Sequence, residues 1–209
     1  MINPDLTVVY VTSNREDEKF EGKIIDALKE SATDLPIVSV SQKPIDFGEN
    51  ICVGDIGAKP ENVLKQLIIG AKAAKTRFVA VGESDFLYPK TFFEFVPPRD
   101  DTFYYPDNVY IFWVNRSRFY RKRLREMLSV TNREHFISVL EKVLDGLNDH
   151  IANRVKVFTK QGAFWTDIPL ITFKTRNGMH WKSPFIKEGS TKKLPQWGTA
   201  QDLLNNFVL

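Results

Sequence analysis

The chain has 209 residues, of which 43% are hydrophobic, 12% aromatic and 26% charged, a balance that lets one substantial core form. A single cysteine, Cys52, excludes an internal disulfide and a cysteine-rich zinc site, and a net charge of +3 is too mild to declare a nucleic-acid binder. No apolar run is long enough to cross a membrane, and the N-terminus lacks the basic-then-apolar pattern of a secretory signal, so the sequence reads as cytoplasmic.

Leu6–Val11 is a β-branched run suited to a buried strand, and it stops in the polar Thr12, Ser13, Asn14 and Arg15. Phe20, Ile24, Ile25 and Leu28 then recur at helical spacing, with Glu21, Lys23, Asp26 and Lys29 expected to face water. Pro36–Val40 reads as a second strand, and Ser41–Lys59, carrying Pro44, Gly48, Gly54 and Gly57, as a long irregular loop. Pro60 opens a helix bearing Val63, Leu64, Leu67, Ile68 and Ala71, which leads into a strand at Arg77–Val81. This alternation predicts an α/β fold with parallel neighbours, whose ligands sit beyond the carboxyl ends of the strands. Further on come a strand at Val109–Val114 and a helix from Arg133 to Leu147, with Thr131 and Glu134 spaced as a capping box. Short apolar runs at Val155–Phe158 and Pro169–Phe173 and a small helix near Ala200–Phe207 complete the chain.

The segment Phe78–Pro89 carries the chemistry, because a buried strand runs there into Glu83 and Asp85, separated by Ser84. Residues two apart in extended backbone share a side, so the two carboxylates can converge on a hard divalent cation. Such an ion bridges a nucleotide diphosphate and neutralises charge as it leaves.

The run from Ala71 to Phe93, with Glu83-Ser84-Asp85 at its centre, resembles the segment around the acidic metal motif of GT-A fold glycosyltransferases, in particular small viral, phage and bacterial members. Ser41–Pro44, Asn50–Asp55 and Phe103–Trp113 are similar to that group too, although the first acid here is Glu rather than Asp. The resemblance implies a Rossmann-like three-layer α/β sandwich around a mostly parallel sheet. It implies one domain over residues 1–209, with a nucleotide-sugar and metal half at 1–115 and an acceptor half at 116–209. The activity it implies is metal-dependent transfer of a sugar from a nucleotide donor, a UDP sugar such as UDP-glucose, to the hydroxyl of a glycan or a modified nucleic acid. A viral member would act in the host cytoplasm.

The resemblance also assigns roles. Glu83 and Asp85 hold Mn2+ or Mg2+, and His180, in a glycine-containing C-terminal stretch, completes the metal shell. Thr12, Ser13, Asn14 and Arg15 contact the nucleoside and phosphate, Gln42 and Gln66 are weaker contacts, and Ser84 lies near the ribose. Glu134 takes the place of the acceptor-activating base, with Asp167 as second choice. Trp165, Trp181 and Trp197 offer stacking faces for a sugar, and His135 and His150 are helix-surface residues. Six cations between Arg116 and Arg125, namely Arg116, Arg118, Arg121, Lys122, Arg123 and Arg125, form the strongest basic cluster. Two other functions fit parts of the pattern. A sugar nucleotidyltransferase shares strand-end carboxylates but wants a glycine-rich loop that Thr12–Arg15 lacks, and a nucleic-acid-binding module would use the basic cluster.

Overall fold

A computed structural model describes residues 1–122, 127–146, 159–175 and 190–209, and a seven-stranded sheet forms its centre. β1 (Leu6–Thr12) is buried along its whole length because parallel neighbours flank it, β2 (Ile37–Ser41) on one side and β4 (Phe78–Glu83) on the other. β3 (Glu49–Cys52) continues the sheet beyond β2, and β9 (Val130–Asn132), β6 (Thr102–Pro106) and β10 (Lys160–Phe164) continue it beyond β4. Every pairing in this sheet is parallel except the two made by β9, as the alternation of strands and helices predicts.

Strand side chains alternate between two cores. Val9, Val11, Val79 and Val81 pack against α2 (Pro60–Ala73) and α3 (Arg133–Asp145), whereas Val8, Tyr10, Phe78 and Ala80 face the opposite layer. That layer holds α1 (Glu18–Ala32) and a second sheet in the order β5 (Phe86–Leu87), β11 (Leu170–Lys174), β7 (Val109–Trp113), β8 (Arg118–Arg121). Phe86, Val109 and Leu170 bury one face of the second sheet on the central one. Leu87, Phe112, Phe119, Ile171 and Phe173 bury the other on Phe20 and Ile24 of α1 and on the C-terminal helix α4 (Ala200–Leu203). A short hairpin of β12 (Lys193–Leu194) and β13 (Gly198–Thr199) precedes α4. None of the helices among the described residues is long and apolar enough to cross a membrane.

The structure adds to the sequence reading or departs from it in several places. The segment 41–59 contains β3, an edge strand whose Glu-Asn-Ile-Cys composition carries no strand signal; its entry turn needs Gly48, at φ 62°, where a Cβ would collide with the Ile37 carbonyl oxygen. Thr131 belongs to β9, and the helix cap falls to Asn132, whose side chain accepts from the His135 N–H at 3.1 Å. The basic cluster follows a β-hairpin, with Arg123 and Arg125 outside the described residues. Strands from both sides of residue 115 share both sheets, because β9 and β10 pair into the central sheet while β7 pairs with β8 and β11. The run Val155–Phe158 also lies outside the described residues.

Candidate active site

Parallel strands on either side of β1 leave in opposite directions across the sheet, β2 to one flank and β4 to the other. The crevice beyond their carboxyl ends is therefore the topological switch point, the usual ligand position of an open α/β sheet. Glu83 is the last residue of β4, Ser84 and Asp85 form the turn, and β5 begins at Phe86. The turn is held from both sides. The Glu83 N–H donates to the buried Tyr88 hydroxyl at 2.9 Å, and the Asp85 carbonyl accepts from the Phe173 N–H of β11 at 2.8 Å. The Thr172 hydroxyl, on β11, donates to Asp85 Oδ2 at 3.4 Å.

The loop after β1 meets this turn. Glu16 accepts from the Thr175 hydroxyl at 2.9 Å, which ties the first loop to the end of β11. Burial raises the Glu16 carboxyl above the usual glutamate range; the Thr175 hydrogen bond and Lys174 oppose it, and the charges of Asp85 and Glu21 add to it. Glu21, on the first turn of α1, was expected to face water and is instead buried beneath the loop, where the Tyr10 hydroxyl donates to Oε1 at 2.9 Å. Burial raises its carboxyl too, against the hydrogen bonds from Thr12 and Tyr10. Tyr88 and Tyr10 are pushed well up by burial first and by the negative charges of Glu83 and Glu21, respectively, second. Glu16, Glu21, Thr172 and Lys174 were not singled out from the sequence. The signal available for Glu16 and Glu21 was their position directly after a strand exit, but helical periodicity alone sends Glu21 outward.

The residues assigned to the nucleoside divide into two groups. Thr12 is buried at the end of β1, and its hydroxyl accepts from the Asn14 N–H at 2.9 Å, while Asn14 Oδ1 accepts from the Gln42 and Lys43 N–H groups at 2.9 and 2.8 Å. Gln66 is buried and donates to the Thr12 and Val40 carbonyls at 2.9 Å each, and buried Gln42 donates to the Gly57 carbonyl at 2.9 Å. Both side-chain donors of Gln66 are thus spent on clipping β1 to β2. Ser13, Arg15 and Ser84 remain at the rim, with Arg15 exposed.

Glu134 lies away from the acid pair. Asn132 pairs with Phe78 at the amino end of β4, and from Phe78 to Glu83 that strand rises roughly 16 Å, so Glu134 stands on the opposite edge of the sheet, ion-paired to Arg133. β10 runs parallel to β6, and residues 165–168, with Trp165 and Asp167 exposed and Thr166 buried, lead from Phe164 into β11. Trp165 is 61% exposed, and the Arg121 guanidinium lies 5.9 Å from its ring centroid. Trp197 is spent in the fold, donating to the Pro169 carbonyl at 2.7 Å. His135 is partly buried, edge-on to Phe103. His180, His150 and Trp181 lie outside the described residues. Among the described residues no three His, Cys, Asp or Glu side chains are grouped as a metal set, and Glu83 with Asp85 is the pair available for a cation.

Among the described residues, the cations of the basic cluster take different surroundings. Arg116 stacks on Trp113 at 4.4 Å, Arg118 donates to Ser190 Oγ at 3.1 Å, and Lys122 is buried with its ammonium 5.2 Å from the Phe86 ring.

No protein family and no curated protein matches the chain by sequence. By fold, a nucleotidyl transferase from Methanothermobacter is similar at TM-score 0.51 and 10% identity, over 78% of this chain and 88% of its own. Staphylococcus aureus TarS 1-349 in complex with UDP-GlcNAc gives TM-score 0.52 and 11% identity over 87% of this chain and 61% of that one. The glycosyltransferase GlyE of Streptococcus pneumoniae gives 0.51 and 11% over 76% and 44%. With its switch-point crevice and mostly parallel sheet, the chain has the GT-A-like fold shared by nucleotide-sugar transferases.

Proposed function

We propose that this chain is a metal-dependent glycosyltransferase that moves a sugar from a nucleotide-sugar donor, a UDP sugar such as UDP-glucose, to an acceptor hydroxyl. The observation that carries the reading is the Glu83 and Asp85 pair at the carboxyl end of β4, with the Thr172 hydroxyl on Asp85, at the switch point of the sheet. Two carboxylates fit Mg2+ or Mn2+, which binds through one or two protein carboxylates and completes its shell with water and substrate phosphates. His180 enters the metal set through the sequence resemblance. The ion, when bound, offsets charge on the leaving diphosphate.

Ser13, Arg15 and Ser84 line the rim for the nucleoside and ribose. Asp167 is the proposed acceptor-activating base, and exposed Trp165 beside it offers an apolar face for a sugar ring, which supports a glycan acceptor. The likeness to a nucleotidyl transferase keeps a sugar nucleotidyltransferase as the second reading, although the β1 exit, Thr12–Asp17, holds no glycine to cradle a triphosphate.

A panel of nucleotide sugars, with and without Mn2+, tests this through the thermal midpoint, since a ligand that binds only the folded chain raises it. Stabilisation by a UDP sugar that requires metal is expected. Stabilisation by a nucleoside triphosphate, with pyrophosphate released on adding a sugar 1-phosphate, would replace the first reading by the second.

A further inference from the structure

We infer that Lys174 is the cation that receives the diphosphate of the bound donor, an inference that rests on the nucleotide-sugar reading above. Lys174 ends β11 and is only 7% exposed. Lysine is almost never that buried unless its charge is met, because an ammonium withdrawn from water is costly. Among the described residues its ammonium makes no hydrogen bond and no ion pair; the Glu16 carboxyl, which accepts from Thr175, attracts it without a direct bond.

Its position in the sheet explains its burial. Alternation along β11 puts Lys174 on the same face as Thr172, whose hydroxyl is on Asp85. Two residues along a strand are about 7 Å apart, a distance that the four-carbon stem of a lysine spans. Trp113 and Arg118 pair in the same row of the second sheet, so this row is the cationic end of the face that carries Thr172. Lys122, the other buried lysine among the described residues, directly after β8, has a different fate, with its ammonium over the Phe86 ring.

Charge counting gives the ligand class. The two carboxylates of Glu83 and Asp85 and one divalent cation sum to zero. A diphosphate that joins them brings negative charge that this set leaves unopposed, and a lysine nearby supplies the opposing charge through a charge-assisted hydrogen bond. The same ligand supplies the hydrogen-bonded counter-charge that Glu16, taken up by Thr175, does not give Lys174.

Calorimetric titration of the whole chain with inorganic pyrophosphate in Mg2+, for the natural protein, Lys174→Met and Lys174→Arg, tests the inference. Lys174→Met is expected to weaken pyrophosphate by about 10- to 100-fold, the scale of a lost hydrogen bond to a charged group, and Lys174→Arg to recover most of it. The thermal midpoint of ligand-free Lys174→Met should be unchanged or higher, because a buried charge gives way to an apolar chain of similar length. Undiminished affinity in Lys174→Met, no pyrophosphate binding by the natural protein, or a lowered ligand-free midpoint that makes Lys174 a structural cation would each overturn it. Pyrophosphate binding that depends on Lys174 in a protein that no nucleotide sugar stabilises would keep Lys174 as a diphosphate cation and reject the donor reading alone.

Discussion

At the amino ends of β4, β6 and β10, acids meet cations in the open. Asp100 pairs with Arg77 at 2.8 Å, Asp101 with Arg99 at 3.0 Å and with Lys160 at 2.6 Å, and Glu134 with Arg133. These pairings hold the Asp100 and Asp101 carboxyls below the usual aspartate range, through the Arg77 hydrogen bond in one case and those of Arg99 and Lys160 in the other. At the carboxyl ends of β1 and β4 the acids instead gather near one another, half-buried or buried, and burial raises Glu16 and Glu21. Folding stability alone does not favour the second arrangement, since burying acids near like charges costs free energy. A cluster kept at that cost, over the switch point of the sheet, is where chemistry is expected; the paired acids of the other edge are ordinary surface electrostatics.

The comparison breaks most readily at Asp85. Asp85→Ala should abolish metal-dependent nucleotide binding while the fold persists, and unchanged UDP affinity in Mn2+, measured by calorimetry on the folded variant, would remove the carboxyl edge as the donor site. Asp167→Asn comes next. If Asp167 takes the acceptor proton, the variant keeps donor and metal binding but loses turnover by about 10²- to 10⁴-fold. Activity within a few-fold of the natural protein would leave the reaction without a base on this edge, and the anomeric configuration of the product, read by NMR, would then point to a retaining path.

The sequence was most legible where periodicity and burial coincide. β1, β4, α1, α2 and α3 were readable because their apolar residues repeat at the period of the element, and the acid pair followed because it ends one of those strands. β3 was not, since an edge strand needs no apolar face and its pairing with β2 is what defines it. Glu134 was misplaced for a topological reason: β9 reverses direction between β4 and β6, which no local pattern announces, and that reversal carries the start of α3 to the far edge. Lys174 and Thr172 came to the site through long-range pairing of β11 with β5 and β7, a contact invisible to spacing along the chain.

Proton linkage sharpens the contrast between the edges. A carboxyl whose folded pKa is raised binds its proton more tightly in the native state. The stability it contributes is therefore present below the ordinary glutamate range and is lost as pH rises through the raised value. Glu21→Gln, which still accepts from Tyr10, should melt like the natural protein near pH 4 and above it near pH 8. Asp101 has the opposite sign: its contribution is present above the ordinary aspartate range and is lost as pH falls through the lowered folded value, so Asp101→Asn should melt below the natural protein at pH 7 and converge with it in acid. Thermal midpoints across pH measure both, and equal signs for the two variants would erase the distinction.

The smallest effect is expected at Glu134, and it is informative for that reason. Its ion pair with Arg133 is exposed, with 73% of the Glu134 side chain accessible, and exposed pairs contribute about 0 to 1 kcal/mol. A carboxylate in the first turn of α3 also complements the helix dipole by about 0.3–1 kcal/mol, while the cap itself belongs to Asn132 and is untouched by the change. Glu134→Gln should thus lower the midpoint by a few degrees at most, given roughly 2–4 °C per kcal/mol for a chain of this size. Turnover and donor binding should stay within about two-fold, because roughly 16 Å of β4 separates this carboxylate from Asp85. A loss of about 10²-fold in turnover with an intact fold would mean that an acceptor reaches the amino edge of the sheet, and the assignment of the two edges would have to be exchanged.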